Sequence, residues 1–278
     1  MANRHRCAST LTAIVLPLLP NSSFGPAPFD VLNPYRIWLM VVFISGISFL
    51  GYVLMKLVDM RRGIGITGLL GGMVSSIAVT LSFAGRSRGH ATLAKAFALA
   101  ILLAWTVMFM RVLTWTFAFN RALLAAVWPP LVAATLAAFG YAGYLYLAQH
   151  SDEHDSGALA NPFSLGPVLQ FGLLYAAILL ISRTAELYFG HYGLYISSAR
   201  AGLADVDAIT LSMAELSAAP DGVPLAVAAR AILLAILTNT LVKAGIVLVT
   251  GSRTLRQALI PSVLLIVAAG AGIAWITI

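Results

Sequence analysis

The chain has 278 residues, of which 60% are hydrophobic and only 10% are charged. Its mean hydropathy is +0.92. Because a soluble domain carries about 25% charged residues, these values exclude a soluble enzyme, a nucleic-acid-binding domain and a disordered chain. The net charge of +7 is explained by Lys and Arg collected in cytoplasmic loops. The sequence therefore predicts a multi-pass protein of the cell inner membrane, surrounded by the lipid bilayer and not bound to nucleic acid.

The first element in chain order is a short N-terminal segment, residues 1–32. Its apolar stretch, residues 10–19, is too short to cross a bilayer alone and contains Pro17. A basic leader precedes the stretch, but no small-residue cleavage site follows it, so we reject a signal peptide. We interpret the stretch as a short or half-inserted helix.

Eight longer apolar stretches follow, and each has the roughly 20 residues that a spanning helix needs. The predicted fold class is therefore all-α, a polytopic transmembrane helical bundle of about eight spans. The stretches are residues 36–57, 63–84, 92–119, 122–147, 165–189, 193–214, 225–249 and 255–276.

The charges of the connecting loops predict the orientation of the bundle. If all eight stretches cross, one side collects mainly basic residues and is expected to be cytoplasmic. The other side, with the linker 149–160, collects Arg86, Arg88 and Lys95 but also most of the acidic residues. Basic residues flank the second stretch at both ends, so a re-entrant hairpin at 63–84 is the alternative to a full crossing. The basic side holds Lys56, Arg61, Arg62, Arg121, Arg253 and Arg256, opposed only by Asp59.

The two halves of the chain match each other at an offset near 130 residues. Asn33-Pro34 corresponds to Asn161-Pro162, and the run 78–84 corresponds to the run 208–214, with Thr-Leu-Ser in both. We therefore predict two four-helix repeats, with the acidic linker between them. Four crossings in each repeat would make the halves parallel, whereas a re-entrant second segment would make them inverted. The repeats are residues 33–148 and 161–278.

The second segment of each repeat is rich in Gly and Ser, so we expect a broken helix there, with small-residue packing as the alternative. In the second repeat this segment contains Asp205 and Asp207. A carboxylate at mid-membrane costs at least about 2.5 kcal/mol and needs a partner or a water-filled cavity. The two aspartates are therefore candidates for binding a cation or a proton, with a structural ion pair as the alternative.

The third segment of each repeat carries one cation, Arg111 or Lys243, about 12 Å from the helix end. We expect both to act as internal counter-charges, and snorkelling to the interface is the alternative. One of the two aspartates should lie within hydrogen-bonding reach of Lys243 or Asn239, beside a hydrated cavity at the repeat interface. An anion site between the two cations is the other interpretation. Neutral oxygen ligands are expected from Ser75, Ser76, Thr80, Thr210, Ser212 and Asn239.

Three further features are expected to be structural. Arg183 and Glu186 are three residues apart and are predicted to neutralise each other. The five tryptophans lie mostly near span ends and are interpreted as interfacial anchors. With a single cysteine, Cys7, the chain has neither an intramolecular disulfide nor a Cys/His cluster. The identity of any bound metal is left open, and no cofactor is expected.

Four runs carry a resemblance to a known family. They are residues 68–82, Met108-Phe-Met-Arg111, Asp205-Val-Asp-Ala-Ile-Thr-Leu-Ser212 and Asn239-Thr-Leu-Val-Lys243. The chain resembles, over nearly its whole length, an uncharacterised membrane domain that often follows an MgtC/SapB-type domain in bacterial proteins. The resemblance implies an autonomous integral membrane unit with a link to magnesium homeostasis or membrane energetics. It assigns no functional residue.

These patterns favour a transport protein, either a channel or a secondary transporter for a small inorganic ion. The permeation site is expected between the two Gly/Ser-rich segments at the repeat interface. The alternative is a non-transporting regulatory or scaffold membrane protein, in which the intramembrane charges form a structural network. An enzyme is not expected, because no nucleophile, base or phosphate-cradling loop is recognisable. A homo-oligomer is compatible with either function.

Overall fold

The computed structural model describes residues 18–39, 41–42, 64–147, 165–219 and 222–278, without the side chains of residues 91, 165–172, 174 and 204. Most of the N-terminal stretch, most of the first predicted span and the whole acidic linker lie outside these residues. The described part of the chain contains helices and no strand. Short 3₁₀ turns occupy Phe29–Val31 and Ala91–Leu93.

The described helices are α1 (Ile64–Val74), α2 (Ser76–Arg86), α3 (Ala94–Phe119), α4 (Arg121–Leu147), α5 (Leu165–Ala204), α6 (Val206–Leu216), α7 (Leu225–Thr250) and α8 (Arg253–Thr277). Apart from α4 and α5, which residues 148–164 separate, consecutive helices are joined by short connections. α5 has two parts that meet at Gly190, where φ is +57° and ψ is −145°. Glycine tolerates this positive φ without the steric cost that a Cβ would add.

Four of these helices, α3, α4, α7 and α8, are long and apolar enough to cross a membrane, with 25 to 27 residues each. At 1.5 Å per residue they extend about 38–40 Å, which exceeds the roughly 30 Å hydrocarbon core. The protein is therefore a helical membrane protein. α3 is the most enclosed of the four, because 72% of its 18-residue apolar stretch is buried inside the protein.

The second and sixth predicted spans are not continuous helices. The chain leaves helical geometry at Ser75, between α1 and α2, and again at Asp205, between α5 and α6. α1, α2 and α6 have 11 residues each and extend about 16 Å, roughly half of a hydrocarbon core. The expected breaks are present, and they divide each segment into two half-length pieces.

α1 runs parallel to α3 and packs closely against it. A Cβ atom placed on Gly65 would lie 3.5 Å from the Leu99 side chain. Further along both helices, a Cβ atom placed on Gly72 would lie only 2.6 Å from the Cα of Ala104. Residue numbers therefore rise together along the two helices, and the missing side chains allow their backbones to touch.

α2 runs back in the opposite direction along the same helix. The Trp105 indole donates to the Thr80 hydroxyl at 2.9 Å, and three residues later Phe83 stacks on Phe97 with centroids 5.4 Å apart. α1 and α2 together are named hairpin 1. Both ends of hairpin 1 lie at the N-terminal end of α3, so the full crossing expected for residues 63–84 is not found.

Hairpin 2 is the second part of α5 (residues 191–204) together with α6. The glycine near its tip, Gly202, lies against Ala235 of α7, and its carbonyl accepts a 2.8 Å hydrogen bond from the Asn239 side chain. α6 then returns to the start of α7, where the Leu216 carbonyl accepts from the Val223 amide at 3.1 Å. Hairpin 2 thus adjoins α7 as hairpin 1 adjoins α3.

The two long central helices, α3 and α7, are antiparallel. α2 ends beside the end of α7, where the Arg88 guanidinium donates to the Val249 carbonyl at 2.6 Å. α6 ends beside the end of α3, where the Asn120 side chain donates to the Ser217 hydroxyl at 3.0 Å. Since α2 leads directly into the start of α3, that start lies level with the end of α7. Parallel halves would require α3 and α7 to run the same way, so that expectation is wrong.

The antiparallel packing also divides the charges differently from the expectation. We name end A the end where α3 starts and α7 finishes, and end B the opposite end. Arg86, Arg88 and Lys95 lie at end A with Arg253 and Arg256, instead of on the opposite side from them. The acidic residues Asp30, Glu186 and Glu215 lie at end B, where Arg183 bonds Asp30 and Glu186, and Arg36 bonds Glu215.

Candidate functional site

The two helix breaks are each capped by the residue at the break. Ser75 has φ −163° and ψ 112°, and its hydroxyl accepts from the Ala78 amide at 3.2 Å. Asp205 has φ −156° and ψ 130°, and its carboxylate accepts from the Asp207 amide at 2.6 Å. Ser and Asp are preferred at helix N-caps because they satisfy amides that lack an intrahelical partner. The tips of both hairpins therefore present a helix N-terminus.

Asp207 is fixed at the tip of hairpin 2 by two residues of α3. The Arg111 guanidinium pairs with one carboxylate oxygen, and the Trp115 indole donates to the other at 3.1 Å. Arg111 also donates to the Met73 carbonyl at the end of α1, at 3.3 Å. Asp207 is only 6% exposed. With both oxygens engaged, it serves as the counter-charge of Arg111 in this structure.

Lys243 of α7 lies at the tip of hairpin 1 and is 0% exposed. Its ammonium contacts the Ser76 hydroxyl at 3.4 Å and the Met108 sulfur at 3.0 Å, and it lies 5.2 Å from the centroid of the Trp105 ring. Among the described residues, no carboxylate lies within salt-bridge distance of this ammonium. It is a buried cation whose direct contacts are neutral, and the Asp207 carboxylate acts on it from beyond salt-bridge distance.

The predicted partnership between the aspartates and Lys243 or Asn239 is thus not the one that forms. Asp207 pairs with Arg111, and Asn239 bonds the Gly202 carbonyl. The antiparallel course of α3 and α7 is the reason, because it brings each cation to the hairpin of the opposite half of the chain. Arg111 meets the start of α6, and Lys243 meets the start of α2. Both cations point inward, so neither snorkels to an interface.

The hydroxyls predicted as neutral ligands mostly bond within their own helices. Thr80 donates to the Ser76 carbonyl, Thr210 to the Val206 carbonyl and Ser212 to the Ala208 carbonyl, at 2.8 to 2.9 Å. All three are fully buried. Ser75, Ser76 and Asp205 remain at the two tips, and Ser75 and Asp205 are half-buried.

Two tryptophans that sequence reasoning assigned to the membrane interface belong to the interior instead. Trp105 and Trp115 are fully buried and donate to Thr80 and Asp207. For Trp115 the sequence signal was helical spacing, because it lies four residues after Arg111 and so on the same face of α3. Trp105 lies six residues before Arg111, on another face, and had no such signal. Trp275, at 91% exposed, fits the predicted anchor role.

A polar and an apolar cavity are lined by described residues, and the lining of these two does not include the hairpin tips. A polar cavity of about 730 Å³ at end B contains Arg36, Arg183 and Glu215. The predicted pairing of Arg183 with Glu186 is present nearby at 2.8 Å. An apolar cavity of about 670 Å³ lies between α4, α7 and α8. The hydrated cavity expected beside the aspartates is not among these two.

The polar groups at the hairpin tips could hold a small ion. A transition metal is a different case, because the described residues offer no cluster of metal-ligating side chains. At hairpin 2 the available groups are acidic but are engaged by Arg111 and by backbone amides. At hairpin 1 they are a cation, two hydroxyls and the first turn of a helix. The two tips therefore differ in the sign of ion that they would attract.

Comparisons with known proteins support one assignment. A curated "Uncharacterized protein" of Aquifex aeolicus (strain VF5) is 37% identical over 193 residues, which is 69% of this chain and 84% of the relative. No solved structure matches the chain. The family profile described as "Domain of unknown function (DUF4010)" matches residues 42–251, which include both hairpins and both central helices. The chain therefore belongs to the DUF4010 family.

Proposed function

We propose that this protein is an integral membrane transport protein for a small inorganic ion, a channel or a secondary transporter, with its site between the tips of the two hairpins. One observation carries the proposal. The buried cation of each central helix lies against the broken helix of the other half of the chain, Arg111 at α6 and Lys243 at α2. Burying an ionisable side chain in the membrane interior is energetically costly, and such residues commonly mark ion or substrate pathways. Their presence at both tips therefore supports transport over a scaffold role.

The lengths of the helices support a transport architecture. Hairpins about 16 Å deep would enter a roughly 30 Å core from opposite faces and end near its middle. Non-helical backbone at that depth is tolerated where protein encloses it or where it lines a water-filled path. We place six crossings in the membrane, formed by α3, α4, α7, α8, residues 36–57 and the first part of α5. Hairpins 1 and 2 are re-entrant in this arrangement.

An inverted repeat is the second part of the proposal. α2 and α6 have 11 residues each, α3 and α7 have 26 each, and the order of helices is the same in both halves. Gly72 packs on Ala104 as Gly202 packs on Ala235, although α3 and α7 run in opposite directions. Discontinuous helices related by inversion form the substrate sites of several transporter folds near the bilayer midplane.

End A is proposed to be cytoplasmic. Its described charged residues are all basic, whereas end B mixes acidic and basic residues, and cytoplasmic loops are enriched in Lys and Arg. The linker 149–160 follows α4 at end A, so this orientation moves it to the cytoplasmic side, against the expectation from eight crossings. We also propose that the protein lies in the cell inner membrane, associates with itself and is linked to MgtC/SapB-type domains. The basic residues are Arg86, Arg88, Lys95, Arg253 and Arg256.

Ion flux into vesicles tests the proposed function. The purified full chain is reconstituted, and flux is measured for a panel of monovalent cations, divalent cations, anions and protons. We expect flux of at least one ion, lost in Lys243→Met and in Asp207→Asn. Arg253→Gln removes an exposed cation at the start of α8 and should retain the wild-type rate. Absence of flux for every ion in the panel, from protein shown to be folded and inserted, would contradict transport and favour the scaffold alternative.

A further inference from the structure

At the tip of hairpin 1, a buried cation has no carboxylate in direct contact among the described residues, and Asp207 reaches it only from beyond salt-bridge distance. The Lys243 side chain extends from α7 to the start of α2 and ends beside the Ser76 hydroxyl. A helix N-terminus carries a partial charge of about +0.5 from its aligned peptide dipoles. The cap at this N-terminus is Ser75, which is neutral. The ammonium and the helix end therefore reinforce each other.

The tip of hairpin 2 has the same backbone but no such excess. Its N-terminus is capped by the Asp205 carboxylate, which offsets the helix dipole. Its cation, Arg111, is paired with Asp207. The contrast shows that this fold can place a carboxylate at such a tip, and that hairpin 1 lacks one.

The acceptors that surround Lys243 are too weak to replace a counter-ion. A thioether sulfur is a weak acceptor, and the hydroxyl at 3.4 Å is at the outer limit of a hydrogen bond. The Trp105 face adds a cation–π contact. An ammonium has three donors, and a fully buried charge without a counter-charge is strongly unfavourable. The side chain is therefore poised to receive an anion.

We propose that a small monovalent inorganic anion, a halide or nitrate, binds at the tip of hairpin 1. Its ligands are the Lys243 ammonium, the Ser76 hydroxyl and the amides of the first turn of α2. One ammonium and one helix end together supply about +1.5 charges, and Asp207 offsets part of this from beyond salt-bridge distance. A single negative charge therefore suits the tip better than a multivalent oxyanion. The anion takes the place that weak acceptors occupy in this structure. This inference rests on the proposed transport function, because it names the ion for the same site.

The surface of the tip supplies a route to this position. Ser75 is half-buried and Ala78, three residues into α2, is exposed. The first turn of α2 therefore joins the enclosed Lys243 to an accessible surface.

Iodide quenching of tryptophan fluorescence tests the proposal in the purified full chain in detergent. Trp105 is 0% exposed and lies beside Lys243, so free iodide cannot collide with it, whereas bound iodide quenches it. Sodium iodide replaces sodium gluconate at constant ionic strength. We expect a saturable quenching component that chloride displaces and that Trp105→Phe removes. Quenching of the wild type that stays linear in iodide, as collision with the exposed Trp128 and Trp275 would give, overturns the proposal whatever the variants do.

Two variants test whether the saturable quenching component depends on the Lys243 ammonium. Lys243→Met should abolish it, and chloride should raise the Tm of the wild type but not of this variant. Arg253→Gln, which changes the net charge equally, should keep both responses. A saturable component that survives in folded Lys243→Met contradicts the assignment; Lys243→Gln replaces Lys243→Met if the latter does not fold. Flux of a cation without iodide binding would refute this inference alone, whereas iodide binding without any flux would refute the transport function alone.

Discussion

Hairpin 1 and hairpin 2 have nearly the same backbone and opposite electrostatics. In both, a glycine packs on an alanine of the adjoining central helix, a polar residue caps the returning half-helix, and a cation arrives from the other central helix. The caps are Ser75 and Asp205, and the cations are Lys243 without a carboxylate and Arg111 with Asp207. The comparison teaches that close packing sets the backbone shared by the two hairpins, whereas one or two side chains set the electrostatics of each tip.

The prediction with the largest expected effect concerns labelling, and it tests whether the two hairpins enter the membrane from opposite faces. In a Cys7→Ser background, Gly89→Cys at end A and Ala219→Cys at end B are both exposed positions. A membrane-impermeant thiol reagent applied to intact cells should label Ala219→Cys and leave Gly89→Cys unlabelled, because the basic end A is proposed to be cytoplasmic.

The linker supplies the control for this labelling. Ser156→Cys should behave as Gly89→Cys does, since α4 returns to end A before the linker. If both Gly89→Cys and Ala219→Cys were labelled from outside, the two ends would lie on the same side of the membrane, which would contradict the inverted arrangement.

The next largest effect concerns stability and distinguishes hairpin 2, whose cation Arg111 pairs with a carboxylate, from hairpin 1, whose cation Lys243 does not. Asp207→Ala should lower the free energy of unfolding by about 3–5 kcal/mol, because it leaves the Arg111 charge buried without its partner. Lys243→Met should cost much less or even stabilise, since it removes a buried charge that has no counter-charge. Unfolding in detergent, by heat or by denaturing surfactant, provides the measurement.

A double variant checks that the pair itself carries the Asp207 effect. Arg111→Met combined with Asp207→Leu should recover most of the lost stability, because an apolar pair can replace a buried ion pair. If Asp207→Ala is no more costly than Asp205→Ala, the Arg111–Asp207 pair does not form.

A smaller effect tests the packing that the hairpins share. Gly72→Ala and Gly202→Ala should each cost about 1–3 kcal/mol, as overpacking does in a well-filled interior. The added Cβ would lie 2.6 Å from the Ala104 Cα and 2.8 Å from the Ala235 Cα, respectively.

Two glycines on neighbouring helices are matched controls for these substitutions. A Cβ at Gly85 of α2 or at Gly245 of α7 meets no atom within 4 Å. Alanine at these positions should be neutral or should stabilise by up to about 1 kcal/mol, because helical glycine is entropically costly. Equal costs at all four glycines would show that the close contacts are not present.

The smallest effect concerns the caps. Ser75→Ala and Asp205→Ala should each cost about 0.5–2 kcal/mol, because each removes the acceptor for an orphan amide. Ser75→Asp should keep the cap but weaken saturable iodide quenching, since its carboxylate offsets the α2 dipole. Thermal unfolding and quenching, measured on the same samples, report the two effects separately. Stronger iodide quenching in Ser75→Asp would contradict the electrostatic account of hairpin 1.

The sequence by itself determined the class of the protein and the positions of its breaks. Hydropathy dictates helices in a bilayer, because a backbone without water must satisfy its own hydrogen bonds. Ser75 lies directly after the Gly-rich run of α1, and Asp205 and Asp207 cannot share a face of a regular helix, so a break was predictable at both tips. The inward orientation of Arg111 and Lys243 followed from their depth. These are local properties, fixed by residues within one or two turns of each other.

The tertiary structure alone decided the direction of the helices and the partners of the charges. A Gly-rich stretch of 22 residues, 63–84, has the length of a span whether it crosses or folds back, so its length could not distinguish the two. Hairpin 2, residues 191–216, also folds back, and because it lies between α3 and α7 in the chain, α3 and α7 become antiparallel. The partner expected for Lys243 is then taken by Arg111 instead. Asp207 meets Arg111 across 96 residues of chain, a contact that depends on the packing of α6 against α3 and not on any local spacing.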